Sequence, residues 1–461
     1  MPSLYNEVAY PGHPFAQTHP DRLSAIAALF GVPYTPVRTC RVLELGCGDG
    51  GNMIPMAVGL PHAQFTGIDL AEKPVAQGKE TIAALGLRNI KLHAADLLTF
   101  DASWGEFDYI ITHGLYSWTP SAVRDQILKI SKQNLAPDGI AYVSYNALPG
   151  GRIRQMLREL MLFQAADFED PEERIEQAKA LLGFVATAAV NPDRFNLFIG
   201  EELERIRERE PWAVFHDELA DIYEPVYFHQ FIDHAATHGL QYLAEASLPD
   251  MEEGRLTADA IATLDAIAGD DRVLREQYVD FARCRAFRQT LLCHAGKEVD
   301  FPLKPDRLAS LYVSTAATAL SPDEFRGPLN AGLKTGHPQT KAMLHALIEA
   351  APQAVSVAEL KPDLQILLAM AMTGLVDLHT APRPLSATPG PKPEVSPLAR
   401  HQLAKNLPLT TLHHATLPVE DPMDRELISL LDGTRTQNEL KEIPDVRERL
   451  NRLARLGLLT P

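Results

Sequence analysis

A chain of 461 residues exceeds what one compact core accommodates, and its length predicts about three domains. Hydrophobic residues make up 46% and charged residues 22%, which excludes general disorder. The formal net charge of −17 argues against a nucleic-acid partner, because such a surface repels phosphate backbones.

The opening segment MPSLYNEVAYPGHPF has no basic start followed by an apolar run, and no stretch approaches the roughly 18 apolar residues of a membrane span. The four cysteines form no CxxC pair and imply no disulfide scaffold. Both features predict a soluble, unexported, cytoplasmic protein. From Arg41 onward, the β-type runs RVLELG, AQFTGIDL, NIKLHAADL, FDYIITHG and GIAYVSYN alternate with helical patterns, the rhythm of a parallel sheet with crossover helices. A helical region is predicted from about 152 to 211. Beyond it GLQYLAEASL and RQTLLCHAG read as two further strands that complete the same sheet.

Residues 167–270 hold 24 acidic and 7 basic residues, which accounts for the whole net charge. Solvated helix faces explain such a run, and the functional alternative is a surface that attracts a basic partner. The stretch APRPLSATPGPKPEVSP reads as a semi-extended linker. On either side, AELKPDLQILLAMAMTGLVDLHTAP and NELKEIPDVRERLNRLARLGLLTP share a helical pattern closing on a Gly-Leu turn. This suggests a diverged, winged-helix-like duplication in which neither copy shows a basic recognition helix. The predicted division is a leader (1–37), an α/β core (38–151), an acidic helical region with the last strands (152–297), a helical module (298–380), the linker (381–397) and a terminal helical module (398–461).

VLELGCGDGGN, residues 42–52, leaves a strand through a glycine-rich turn that lets a ligand approach the backbone. Asp69 in GIDL stands roughly 20 residues further on, the spacing of an acid that holds ribose hydroxyls. Glu44, just before the first glycine, disfavours a phosphate and suits an amino group or a sulfonium. Asp96 in AADL offers an acceptor for an exocyclic adenine amine, with Leu97 beside it and Leu70 following Asp69. Together these features describe a pocket for S-adenosylmethionine.

ELGCGDGGN, GIDL and AADL resemble the cofactor motifs of class I S-adenosylmethionine-dependent methyltransferases. The segments YPGHPFAQTHPDRLSAIAALFG, ELGCGDGGNMIPMA, FDYIITHGLYSWTP, AYVSYNALPGG, HDELADIYEPVYFHQFIDHAATHGLQYLAEA and FRQTLLCHAG extend the likeness over nearly the whole chain. They resemble the bacterial methyltransferases with a methyltransferase regulatory domain, a group that includes rickettsial protein lysine methyltransferases. The resemblance implies a Rossmann-like seven-stranded sheet with a helical insertion. It implies that Glu44, Gly46, Gly48 and Asn52 surround the methionine part of the cofactor, Asp69 the ribose and Asp96 the adenine. His113 and Gly114 then line the methyl-bearing end, and Cys47 is a packing residue inside the turn.

Methyl transfer from a sulfonium needs alignment and water exclusion rather than a covalent residue. A lysine acceptor must lose its charge, which a desolvated aromatic pocket assists. Tyr116, Trp118, Tyr145 and Tyr10 are the candidates for that pocket, and the leader with Tyr10 and Thr18 is a candidate lid. The sequence HGLYSW after the fourth strand lacks the NPPY-type turn of amide and adenine methyltransferases. His234 and His238 could share a helix face, but no third ligand has telling spacing, so no metal is expected. The leading expectation is a methyltransferase acting on accessible lysines of a protein partner, with room for a homodimer. The alternatives are transfer to a small metabolite and an inactive cofactor-binding scaffold.

Overall fold

The computed structural model describes residue 8 and residues 10–251, 256–328, 331–383 and 385–460. Part of the predicted leader, residues 1–7 and 9, lies outside them. Strands β1 (Arg41–Leu45), β2 (Gln64–Asp69), β3 (Ile90–Ala94), β4 (Phe107–Thr112), β5 (Leu135–Asn146), β6 (Leu240–Glu245) and β7 (Phe287–His294) form one sheet. Its order is β3-β2-β1-β4-β5-β7-β6. Strands β1 to β5 run parallel, and β7 is antiparallel to both β5 and β6. The two late strands therefore complete the sheet as the sequence predicts.

Alternate residues of each strand enter two different cores. Val42, Tyr109, Ile111, Ile140 and Tyr142 face one side, and Leu43, Leu45, Ile110, Val143 and Tyr145 the other. Coverage on both faces explains why β4 is buried at every position, including Asp108, which accepts from the Arg41 backbone N–H at 2.7 Å and from its guanidinium at 3.0 Å. The sheet reverses its order between β1, which has β2 on one side, and β4 on the other. The glycine turn after β1 lies at this switch point, where open α/β sheets bind ligands.

Helices α1 (Pro20–Leu29), α2 (Met53–Gly59), α3 (Glu72–Ala84) and α4 (Ser121–Gln133) accompany the sheet. The acidic region folds as α5 (Gly151–Ala165), α6 (Pro171–Thr187), α7 (Arg194–Arg207) and α8 (Pro211–Glu218), followed by α9 (Phe228–Thr237). Leu157, Met161, Ile175, Leu182, Ile199, Leu203 and Phe215 give the insertion a core of its own. Most of its charges are thereby left on the outer faces, with Arg158 and Glu218 the buried exceptions.

The sheet edge is fixed by Arg288 on β7, whose side chain is fully buried. Its guanidinium donates to Glu245 Oε1 at 2.7 Å and to both oxygens of Asp280 at 2.8 Å, and it lies 3.9 Å from the centre of the Phe228 ring. Glu245 is 0% exposed, so Arg288→Met strands a buried carboxylate. The expected cost is about 3–5 kcal/mol, read as a lower urea midpoint, and an unchanged midpoint would contradict this account.

The 298–380 module departs from the helical expectation. Alongside helices Pro338–Ala350 and Leu364–Met372 it contains two three-stranded sheets whose strands span two to four residues, too short to print a period in the sequence. The expected linker is also corrected at its end. Glu394 and Val395 bridge to Asp432 and Leu459, and Val395 is fully buried in the terminal module. Helices Leu364–Met372 and Val446–Arg455, which carry the paired pattern, each close on a left-handed glycine, Gly374 at φ 75° and Gly457 at φ 68°. The terminal module adds helices Pro397–Ala404 and Pro422–Leu430 and the hairpin Leu409–Thr410/Thr416–Leu417. Among the described residues no helix is long and apolar enough to cross a membrane.

Candidate cofactor site

β1 delivers Glu44 and then the glycine turn to the carboxyl end of the sheet. The N–H groups of Gly46 and Cys47 donate to the Ile68 carbonyl at 2.8 and 3.0 Å, which ties the turn to β2. The leader runs directly over the turn, and a β-carbon on Gly51 would stand 2.4 Å from the Gly12 carbonyl carbon. At Gly48, with φ 54°, a β-carbon would project into open space. The Gly48 N–H donates to Asp69 Oδ2 at 2.8 Å, and the Ala71 N–H donates to Asp69 Oδ1 at 2.8 Å. Each Asp69 oxygen keeps a second lone pair for a hydroxyl. Burial raises the Asp69 pKa despite these two bonds.

Glu44 is 3% exposed, and its Oε1 accepts from Asn52 Nδ2 at 2.8 Å. Its Oε2 is buried with no hydrogen-bond partner. Burial pushes the Glu44 carboxyl up to about 8; the Asn52 bond opposes this, while the negative charges of Asp69 and Asp49 add to it. A buried, unsatisfied acid in this state is completed by a cationic donor, which is what the amine of a methionine moiety supplies. The donor set therefore fits S-adenosylmethionine.

At the third strand, the Ala95 N–H donates to the Asp69 carbonyl at 2.9 Å, so the ends of β2 and β3 are joined. Asp96 is exposed and caps the following turn through Leu98 N–H at 2.9 Å, with Leu97 buried beneath it. Leu70 and Leu98 are 62% and 52% exposed, an apolar rim beside the two acids. Cys47 is 6% exposed, and burial, with Asp69 and Glu44 nearby, holds its thiol well above the usual range. It is a protonated packing side chain.

His113 follows β4. Its Nδ1 lies 2.9 Å from the Tyr142 hydroxyl, which donates to Gln289 Oε1 at 2.8 Å. Because that hydroxyl proton is spent on Gln289, His113 Nδ1 is the donor and Nε2 carries the lone pair. Burial lowers the ring's pKa to about 4, so His113 is neutral at physiological pH. The Phe15 ring covers it at a centroid distance of 3.8 Å. The neighbouring Gly114 N–H donates to Ser144 Oγ at 2.8 Å.

The four aromatic candidates are not gathered in one pocket. Tyr116 and Tyr145 are 3% and 1% exposed and pack against Phe231 of α9. Their hydroxyls bond His234 Nδ1 at 2.8 Å and Thr290 Oγ1 at 3.1 Å. Trp118 lies under the guanidinium groups of Arg154 and Arg158 and beside Tyr223. Tyr10 stands edge-on to Trp212 of α8 at 4.7 Å, and burial raises its hydroxyl to about 12.

The structure also supplies the third group that the spacing of His234 and His238 lacks. Asp125 Oδ1 accepts from both rings, at 3.3 and 2.9 Å. The contact joins α4 to α9 across 109 residues and leaves no mark on local spacing. Several residues at the site escaped the sequence reading. Phe15 and Tyr142 lie inside the quoted segments YPGHPFAQTHPD and AYVSYN, but nothing local says that they meet His113. His414, described below, belongs to a different module.

Family models, relatives and a solved structure match the chain. A methyltransferase domain model matches residues 42–139, a predicted methyltransferase regulatory domain matches 210–294, and a PKMT C-terminal winged helix domain matches 391–451. Protein RP789 of Rickettsia prowazekii is 37% identical over 67% of this chain and 56% of its own length. Protein RP028 of the same organism is 38% identical over 50% of this chain and 93% of its own length. The solved structure of PKMT2 from Rickettsia typhi in complex with AdoHcy superposes with a TM-score of 0.86 at 29% identity, over 98% of this chain and 99% of that one. The fold and the site define a class I S-adenosylmethionine-dependent methyltransferase with S-adenosylmethionine as cofactor. The chain belongs to the rickettsial PKMT type of that class, which carries the methyltransferase regulatory domain and a C-terminal winged helix.

Proposed function

We propose that this methyltransferase acts on lysine side chains of a protein substrate. The observation that carries the reading is the correspondence with Rickettsia typhi PKMT2 across 98% of the chain, winged helix included, rather than across the cofactor core alone. The insertion supports it with an acidic exterior that also exposes Phe163, Phe184, Val190 and Leu197 at 82%, 66%, 97% and 60%. Such a surface matches a protein that is both basic and partly apolar.

In this reading Glu44 and Asn52 hold the cofactor's amine, Gly46, Cys47 and Gly48 give it backbone room, and Asp69 takes the ribose hydroxyls. Asp96, Leu70 and Leu97 border the adenine. When bound, the cofactor would supply an electrophilic methyl to an uncharged amine aligned opposite the sulfur, the C–N bond forming as the C–S bond breaks and the thioether S-adenosylhomocysteine leaving. His113 Nε2, uncharged and with its lone pair free, accepts a hydrogen bond from the incoming amine and does not repel a nearby cation. Phe15 over His113 keeps water off this end, and Gly114 leaves space for the acceptor. Trp118 and Tyr10 line the approach from the insertion, and Tyr116 and Tyr145 act as buried pillars behind it.

The test is incubation with methyl-labelled cofactor and a cell extract separated into protein and small-molecule fractions. Label in discrete protein bands, recovered as methyl-lysine after hydrolysis, is expected. The KM for that substrate should rise severalfold from 50 to 300 mM salt while affinity for S-adenosylhomocysteine changes little. Label confined to small molecules would overturn the reading.

A further inference from the structure

We propose that the winged-helix module completes the cofactor site through His414, a positioning residue that reaches the cofactor's amine end by way of Asn52. This rests on the assignment of Glu44 and Asn52 to that end. His414 Nε2 lies 2.8 Å from Asn52 Oδ1, a contact between residues 362 apart in sequence. The amide's orientation follows from its neighbours. The Phe15 backbone N–H, which can only donate, points at the same Asn52 atom at 2.9 Å, so that atom is the oxygen. Asn52 Nδ2 is then left to donate to Glu44 Oε1 and to Thr18 Oγ1, at 2.8 and 3.0 Å. His414 in turn must carry its proton on Nε2.

The result is a polar chain from the C-terminal module to the acid, His414 to Asn52 to Glu44, with the free Glu44 Oε2 at its end. Glu44, Asn52 and His414 are 3%, 4% and 4% exposed, so bulk water does not substitute for any link. With its first oxygen occupied and its position fixed, Glu44 presents only the second oxygen to a cation. That is preorganisation of an ionic contact, and a looser Asn52 would weaken it.

The hairpin is built to deliver this one side chain. His414 adopts φ 64°, a left-handed conformation that an L-residue takes only when its surroundings hold it. The His414 N–H donates to the Thr411 carbonyl at 3.0 Å, and the Leu412 N–H anchors the hairpin to the Gly457 carbonyl at 2.7 Å. The His414 ring also stands edge-on to His19, the residue that caps α1. Leader and winged helix thus close over Asn52 from two sides. Coupling is reciprocal, so bound cofactor should also tighten the docking of the hairpin.

The experiment compares two substitutions in the full-length protein by calorimetric titration with S-adenosylhomocysteine. His414→Asn tolerates the left-handed backbone but is too short to reach Asn52, and about a tenfold loss of affinity is expected. His414→Gln places a donor near the Nε2 position and should retain affinity within about threefold. Hydrogen exchange of residues 409–417 should slow when ligand is added to the natural protein and not when it is added to His414→Asn. Unchanged affinity in His414→Asn overturns the proposal, as does equal loss in both variants, which would mark a purely structural role. Glu44→Gln, measured alongside, separates the two levels. If it binds normally, the assignment of the amine end fails and the proposal fails with it. If it binds weakly while both His414 variants bind normally, the assignment stands and only the role of His414 is lost.

Discussion

Affinity for S-adenosylhomocysteine is expected to rise about fifty-fold between pH 6 and pH 8, in step with ionisation of Glu44. In the empty protein the Glu44 carboxyl is held up to about 8 by burial, with further upward pressure from Asp69 and Asp49, so at pH 6 it carries a proton. Pairing with a cationic amine requires that proton to leave. Each unit of pH below about 8 therefore costs up to tenfold in apparent affinity, and the gain levels off once the acid is ionised and the ligand's own amine begins to deprotonate. The same shift has a definite sign for stability. The folded acid titrates near 8 against an ordinary 4.5, so the native state holds a proton that the unfolded chain has lost over that interval. This group's contribution to the stability of the empty protein falls as pH rises from 4.5 to 8, and the melting shift produced by ligand should widen over the same range. Calorimetry in buffers of different ionisation enthalpy should record about one proton released per ligand bound at pH 7. Glu44→Gln should flatten the profile. A flat profile in the natural protein would mean that Glu44 does not meet the amine.

The second large effect is expected at Asp69. Asp69→Ala removes an acceptor for the ribose and also the anchor of the Gly48 and Ala71 N–H groups, each bonded at 2.8 Å. Two hydrogen bonds to a charged acceptor are lost on the ligand side, and the loop that backs the ligand is loosened. About a hundredfold loss of S-adenosylhomocysteine affinity is expected, with a fall of a few degrees in melting temperature. Asp69→Asn should recover only part of this, because an amide satisfies one of the two N–H groups and presents its own hydrogens to the other. Equilibrium dialysis gives the affinities, and normal binding by Asp69→Ala would remove Asp69 from the site.

What the sequence revealed and what it concealed divide along the range of the interactions. Glu44, the glycine turn, Asp69 and Asp96 sit at strand ends, and strand ends are set by hydrophobic runs and turn residues that local pattern records. The same alternation marked the strands of the sheet, including the two late ones, but not their order. The short strands of the 298–380 module left no period to detect. The packing of Phe15 on His113, the bond from Tyr142 that fixes the His113 tautomer, and the meeting of Asp125 with His234 and His238 each join distant elements. Their residue types are unremarkable in place, and only the fold brings them together. Tyr116 illustrates the opposite error of emphasis. Its position after β4 suggested a wall of a desolvated acceptor pocket shared with Trp118, Tyr145 and Tyr10, but its ring fits the apolar face beneath α9 and its hydroxyl finds His234.

The separation of 362 residues between Asn52 and His414 also sets an order of events during synthesis. At about 5–20 residues per second, a ribosome needs roughly 20–70 seconds to pass from one to the other. The sheet and its glycine turn are translated early and can assemble while the rest of the chain is still being made. If His414 supplies the last link, tight cofactor capture waits until the hairpin has emerged and docked. A prematurely terminated polypeptide would then carry a folded but poorly loaded core, and the cell would gain little activity from unfinished copies.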